Sequence, residues 1–363
     1  MPTMIYHAPY ALNPDSVSAS AIRPIKMLQA FRDSGFEVLD ITGHAAERRK
    51  RFAALRRRVE NGQKIDFMYS ENATIPPSVT EPRHIPPHPF LDAEIFRFAK
   101  KHGIPSGVFY RDLYWKFEEY DNRVGQPLAS IMKVLYRAEL RTYNRYCHTI
   151  FLPSLEMGEY LPEFDRPNTV ALPPGGDTID SPGPQDGVSI FYVGGVGDHY
   201  RMHNLVRAVS ELDGVRLTIC TDAKRWESVA HEYPEAGSHG ITVVHKSGPE
   251  LDVLYRDANL CSVAFEQLDY REFASPFKFY EYIGRGKPII GTDGALTGKL
   301  VNEMGIGWTT DNSVAAIKDV LTRLRDNPQE LARVTQHCES VRDQHSWPAR
   351  AQKVARTLTE SRS

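Results

Sequence analysis

FASPFKFYEYIGRGKPIIGT, residues 273–292, reads as loop, helix, turn and strand. Ser275 stands where a capping residue suits, and Pro276 where a proline suits the first helical turn. Phe277, Tyr280, Glu281 and Gly284 recur at helical spacing. Gly286 is placed to end the helix, and Lys287-Pro288 leads into a short apolar strand. Glu281 lies between two tyrosines, just ahead of a strand of a buried parallel sheet, so its charge needs a partner. Two readings stay open: hydrogen bonds to a bound diol such as a ribose, or an i,i+4 ion pair with Arg285.

The same alternation extends upstream. Strands are expected at 4–7, 36–41, 64–70, 104–115, 148–154 and 169–177, with helices over about 21–34, 44–62, 91–103 and 130–147. PPGGDTIDSPGPQDG (173–187) gathers turn formers and reads as a linker. Beyond it come strands at 189–195, 215–220, 241–245 and 259–265, then the opening stretch, then helices near 312–326 and 328–343. Strands alternating with helices of this length imply an α/β fold with parallel, doubly wound sheets. The expected division is a domain over 1–174, a linker over 175–187, a second domain over 188–345 and a last segment over 346–363. Two Rossmann-like domains facing across a cleft are the architecture this predicts.

Composition narrows the function classes. The 363 residues carry a formal net charge of −2, which gives no electrostatic reason to expect nucleic acid. The four cysteines form no zinc spacing and read as reduced thiols in a cytoplasmic setting. No signal peptide or membrane span is legible. The helix expected over 44–62 crowds Arg48, Arg49, Lys50, Arg51, Arg56, Arg57 and Arg58 around Phe52, Leu55 and Val59. A solvated face over a narrow apolar stripe is the preferred reading; contact with an anionic membrane surface is the alternative. His84 and His88 are separated by two prolines and make a poor metal pair.

Ligands of open parallel sheets bind beyond the carboxyl ends of the strands. Those ends offer His7, Arg111 and Asp112 in the first half, and Gly194, Gly195, His245, Lys246 and Glu266 in the second. GGVGD (194–198) after a strand suits either a phosphate, which would accept backbone N–H bonds, or simply a tight turn. Lys278 and Arg201 could neutralise a diphosphate. No Asp-x-Asp pair occurs, so no metal site and no cofactor is expected, and anionic charge would be met by basic side chains, backbone N–H groups and helix dipoles.

SPFKFYEYIGRGKPIIGT (275–292) resembles the signature of GT-B glycosyltransferases of the large family 4 kind, where a Pro-x-Lys-x-x-Glu-Tyr helix precedes Gly-x-Pro and an apolar strand. NTVALPPGGDT, SIFYVGG, ITVVHKSGPELDVLYRDANLCSV and HSWPARAQKVARTL are similar, in order, to further stretches of that family. The match covers most of residues 168–360, and the first half agrees in architecture only. The resemblance implies that Glu281 binds ribose hydroxyls. It implies that Ser275, Pro276 and Phe277 bring backbone to the diphosphate near Lys278, and that Gly194 and Gly195 face the phosphates. The backbone at Lys246 and Ser247 would read the base, Asp112 would be the acceptor-side acid or base, and the final helix would return to the first domain. Two departures stand out. The second Glu of many members is replaced by Phe273, with Glu272 one residue further off, and the usual basic pair after the phosphate turn is represented only by His199 and Arg201.

The expected function is therefore a metal-independent glycosyltransferase moving a sugar from a nucleotide-diphosphate sugar to a hydroxyl acceptor, carbohydrate or lipid-linked. A nucleotide-sugar 2-epimerase and a non-catalytic nucleotide-sugar-binding protein are the alternatives. The expected location is the cytoplasm, with peripheral attachment at the inner membrane face as an option.

Overall fold

Short runs of fully buried residues build the first sheet. A computed structural model describes the chain apart from residues 16–17, 86, 165–167, 198–199, 239, 267–272, 274 and 361–363. Its first elements are β1 (Thr3–His7), α1 (Ala19–Asp33), β2 (Glu37–Ile41), α2 (Ala45–Glu60), β3 (Phe67–Glu71), α3 (Leu91–Lys101), β4 (Ser106–Phe109), α4 (Glu118–Val124), α5 (Leu128–Tyr146), β5 (Thr149–Leu152) and β6 (Thr169–Ala171). The strands are all parallel, in the order β2-β1-β3-β4-β5-β6. β1, β3, β4 and β5 are buried along their length, as strands covered on both faces must be. Tyr6, Phe31, Phe67, Tyr69 and Phe151 pack ring against ring beneath α1. The order reverses between β1 and β3, so the ligand-binding end of this sheet is the carboxyl end of those two strands.

The second sheet repeats the construction. Its elements are β7 (Val188–Val193), α6 (His203–Ser210), β8 (Val215–Cys220), α7 (Ala223–Val229), β9 (Ile241–Val244), α8 (Leu251–Arg256), β10 (Leu260–Val263), α9 (Phe277–Gly284), β11 (Ile289–Thr292), α10 (Leu296–Met304), β12 (Gly307–Thr310), α11 (Val314–Asp326) and α12 (Pro328–Val341). The parallel order β12-β11-β10-β7-β8-β9 is that of a dinucleotide-type sheet, and it reverses between β7 and β10. The last helix, α13 (Trp347–Glu360), packs on α1, β3 and β4. The compact units are thus Met1–Pro173 with the segment from Trp347, and Pro174–Ser346.

The expected α/β class with two doubly wound parallel sheets is what the chain forms. Some details differ, each for a physical reason. β4 stops at Phe109, well short of 115: Arg111 gives its N–H to the Asn72 side chain (2.8 Å), and a 3-10 turn follows at Tyr114–Lys116. β6 ends at Ala171, because Leu172 makes one more ladder bond (2.7 Å) before two prolines that have no N–H to give. The cap of α9 is Pro276, and Ser275 sends its hydroxyl to Tyr280 (3.3 Å). Gly286 does take the left-handed conformation (φ +67°) that ends α9. On α2, Arg48 belongs to the buried stripe of Ala45, Phe52 and Leu55, not to the basic face.

Candidate functional site

At the reversal point of the second sheet, β7 runs into Gly194 (φ +144°) and Gly197 (φ +99°). A side chain at Gly194 would place its Cβ 2.4 Å from Lys278 Nζ, so only glycine leaves room for that ammonium. Lys278 lies in the first turn of α9 and is buried. Its Nζ donates to the Tyr192 hydroxyl (2.7 Å) and rests 4.2, 4.1 and 5.2 Å from the ring centroids of Tyr192, Tyr200 and Phe265. The Tyr192 hydroxyl in turn donates to the Gly195 carbonyl. Three π faces and one hydroxyl therefore hold a cation against a glycine turn, at the end of the sheet where ligands bind.

Glu281 is half-buried on α9, three residues after Lys278 and on the same face. Arg285, its i,i+4 neighbour, directs its guanidinium elsewhere: to Asp252 (2.6 Å), to Ser181 (3.3 Å) and over the Tyr255 ring (4.1 Å). The Tyr255 hydroxyl is raised well above its ordinary value, first by burial and then by the Glu281 charge. The back of α9 is clamped. Gly176 and Gly284 lie where a Cβ would strike Tyr280 O (2.2 Å) and Asp177 O (2.5 Å).

The remaining residues expected in this unit are more dispersed. Pro276 and Phe277 are half-buried at the start of α9. Lys246 is exposed and pairs with Glu250 (2.6 Å), and Ser247 precedes a 3-10 turn, so this segment after β9 offers backbone more than free charge. His245 reaches the Thr221 carbonyl (2.8 Å). Arg201, expected to neutralise phosphate, faces Glu266 (3.7 Å). Phe273 is buried, while Glu272, His199 and Asp198 lie outside the described residues. Sequence reasoning missed Arg225, whose Nη1 would lie 3.2 Å from a Cβ on Gly195, and the ring cage around Lys278. Nothing local in the sequence marks either. Arg225 follows a different strand, β8, on α7, a helix capped by Asp222 (3.0 Å).

In the first unit the reversal point is occupied by a buried polar network. His7 Nε2 contacts Asp92 (3.0 Å) and Nδ1 contacts Ser70 (2.8 Å). A carboxylate can only accept, so Nε2 carries the proton and Nδ1 takes the Ser70 hydroxyl. Burial pushes His7 below its ordinary value although Asp92 pulls the other way, so the ring is neutral. Burial would raise Asp92, but the His7 hydrogen bond and the Arg48 guanidinium outweigh it and hold that carboxyl low. His7, expected to face an acceptor, thus has both nitrogens engaged inside the protein. Arg111 is likewise a brace: it donates to Ser20 O (2.6 Å) and Tyr10 Oη (2.7 Å) and lies 3.6 Å from the buried Glu71.

Asp112 differs from both. It is half-buried, and burial raises it to about 6 against the Arg111 charge, the Tyr114 N–H and the Thr74 hydroxyl. Glu139 on α5, absent from the sequence reading, is buried and raised further, to about 8, first by burial and also by the charges of Asp92 and Asp112. Tyr143 donates to it (2.6 Å). Among the described residues no group of His, Cys, Asp and Glu is placed to hold a metal ion.

Two parallel six-stranded sheets with these orders, the chain crossing back at its end, define the GT-B fold of glycosyltransferases. Over 99% of its length the chain superposes on sucrose-phosphate synthase from Thermosynechococcus elongatus (TM-score 0.60, 14% identity, 98% of that chain). It superposes equally far on Anabaena HepE in complex with UDP (TM-score 0.63, 10% identity, 100% of that chain). A third similar structure is WaaG, a glycosyltransferase involved in lipopolysaccharide biosynthesis (TM-score 0.55, 12% identity, 99% of this chain and 100% of that one). No protein-family model matches the sequence, and no curated protein does. At such identities the likeness shows the fold.

Proposed function

We propose that this chain is a glycosyltransferase that transfers a sugar from a nucleotide-diphosphate sugar to a hydroxyl acceptor without a metal ion or other cofactor. The observation that carries the reading is α9 itself. It presents a caged ammonium, Lys278, toward a glycine turn, and three residues later on the same face a half-buried carboxylate, Glu281. A cation and backbone N–H groups suit a diphosphate, and a carboxylate suits the two hydroxyls of a ribose. HepE has been crystallised with UDP and with UDP-glucose, so uridine is the first base to test here.

In this reading Lys278 and the glycine turn at Gly194 and Gly195 stabilise the diphosphate as it leaves with the bonding electron pair; the Gly194 N–H is given to the Cys220 carbonyl (3.0 Å), so Gly194 serves by leaving room. Ser275, Pro276 and Phe277 border the same phosphates, and the backbone at Lys246 and Ser247 reads the base. Asp112 takes the proton of the acceptor hydroxyl, a role that its elevated pKa suits near neutral pH. A carbohydrate or lipid-linked acceptor and a cytoplasmic setting are part of the proposal. No described helix is long and apolar enough to cross a membrane.

Thermal unfolding against UDP, GDP, ADP, dTDP and their sugars tests it. One nucleotide family should raise the melting temperature, and Lys278→Ala with Glu281→Ala should abolish that rise. With a donor and acceptor in hand, kcat/KM should fall as pH drops below about 6, and Asp112→Asn should lose about 100-fold or more. Stabilisation by no nucleotide, or turnover unchanged in the double variant, would overturn the proposal.

A further inference from the structure

Two adjacent glycines follow β7, and each leaves its side-chain space to a different cation. A Cβ on Gly194 would lie 2.4 Å from Lys278 Nζ, and a Cβ on Gly195 would lie 3.2 Å from Arg225 Nη1. The Gly195 Cβ would also lie 3.3 Å from the edge of the Tyr200 ring, and Lys278 Nζ rests 4.1 Å from the centroid of that ring. Gly194 has a positive φ that favours glycine in any case, whereas Gly195 does not. A side chain at Gly195 would instead crowd the guanidinium and the ring.

The backbone of Arg225 is fixed while its guanidinium is uncommitted. Asp222 Oδ1 accepts the Arg225 N–H (3.0 Å), and Asp222 O accepts the Trp226 N–H (2.9 Å). Trp226 packs on Tyr233 with ring centroids 5.5 Å apart. The Arg225 side chain is exposed, and its guanidinium donates to no carboxylate or carbonyl among the described residues. Two other cations of this unit are engaged: Arg201 faces Glu266 (3.7 Å), and Lys246 holds Glu250 (2.6 Å). An exposed arginine is ordinarily solvated surface. This one stands beside a turn without side chains, at the end of the sheet where ligands bind.

We infer that Arg225 is the second cation of the nucleotide site and makes it selective for a diphosphate over a monophosphate. The inference rests on the glycosyltransferase reading above. Lys278 shares a face of α9 with Glu281, read there as the ribose ligand, so its ammonium serves the phosphate next to the ribose. The next glycine is one Cα step away, about 3.8 Å, and the cation beside it serves the terminal phosphate, which bears the sugar. The two cations suit different parts of this work. Lys278 is a point charge held in a cage, whereas Arg225 offers a fork of N–H groups that can follow the phosphate as its charge grows. A monophosphate has no group to place against that fork.

Calorimetric titration of the full chain tests it, with UDP, GDP, ADP, dTDP and the matching monophosphates as probes. Wild type should bind one diphosphate about tenfold or more tighter than its monophosphate. Arg225→Gln should weaken the diphosphate by about tenfold or more and leave the monophosphate within about twofold, so that the preference collapses. Arg225→Lys keeps the charge without the fork and should fall between. Lys224→Gln, the exposed neighbour on α7, should change neither. Both positions are exposed, so unchanged circular dichroism and unliganded melting temperature separate lost binding from lost folding. The inference is overturned if Arg225→Gln keeps the wild-type preference, or if it weakens both nucleotides equally. In either case the glycosyltransferase reading stands, whereas a wild type that binds no nucleotide sinks both.

Discussion

Replacing Glu139 by Gln should make this protein more stable at alkaline pH and not at acidic pH. The carboxyl is buried, accepts the Tyr143 hydroxyl and is raised from 4.5 to about 8. Between those two values the folded chain holds a proton at this site that the unfolded chain has released. Stability must then fall as pH rises through that window, by about 1.4 kcal/mol per pH unit at most, and level off above the folded value. The whole window corresponds to roughly 5 kcal/mol at its upper limit. Glutamine keeps the shape and cannot ionise, so the difference between variant and wild type isolates this one proton. Urea unfolding at about pH 5 and about pH 8 should show the variant gaining up to roughly 4 kcal/mol on wild type across that interval. Trp115, stacked on Tyr136 at 5.1 Å, gives a fluorescence signal from the same unit. A constant offset between the two proteins at every pH would refute the reasoning, because it would mean that Glu139 is ionised in the folded chain throughout.

Gly194→Ala should cost about 1–3 kcal/mol of stability, from the backbone conformation at φ +144°, and should push Lys278 off its rings. Any stabilisation by a nucleotide diphosphate should vanish with it, read by thermal shift. Asp92→Asn should destabilise the first unit by about 3–5 kcal/mol at neutral pH, since the buried Arg48 keeps only Glu81, 3.9 Å away, as a counter-charge. Because the Asp92 carboxyl is held low, that loss should shrink in urea titrations below its ordinary range, where the wild-type aspartate becomes protonated as well.

The fold was legible wherever apolar runs were bounded by glycine or proline. MIYH, FEVLDI, VRLTIC and KPIIGT all stand within a residue or two of observed strands. β12 and α10 escaped notice because GWTT has no apolar run and is an edge strand, half-buried over three of its four residues. α9 was readable because its helix, its stop and its strand all carry strong local signals. The surroundings of α9 were not readable. Tyr192, Tyr200 and Phe265 come from separate places in the chain, and only the strand order brings them round Lys278, as it brings Arg225 to Gly195. The same blindness hid Arg48. One arginine among seven basic residues looks like surface, and its burial depends on Asp92, which is 44 residues away. Glu139 was hidden for a related reason, because a single glutamate in a long helix gives no sign of which face it occupies.

The return of α13 to the first sheet also bears on how the chain is made. Trp347, Ala351, Val354 and Leu358 are buried in a unit whose other residues end at Pro173. The whole of Pro174–Ser346 must be synthesised before that cover arrives. At ordinary translation rates the delay is on the order of 10–35 s. Through that interval the seat of α13 on α1, β3 and β4 stays uncovered, while the second unit, contiguous in sequence, is free to fold as it emerges. The half that is translated first is therefore the half that is completed last, and a nascent chain stalled before Trp347 would expose apolar surface that a chaperone could recognise.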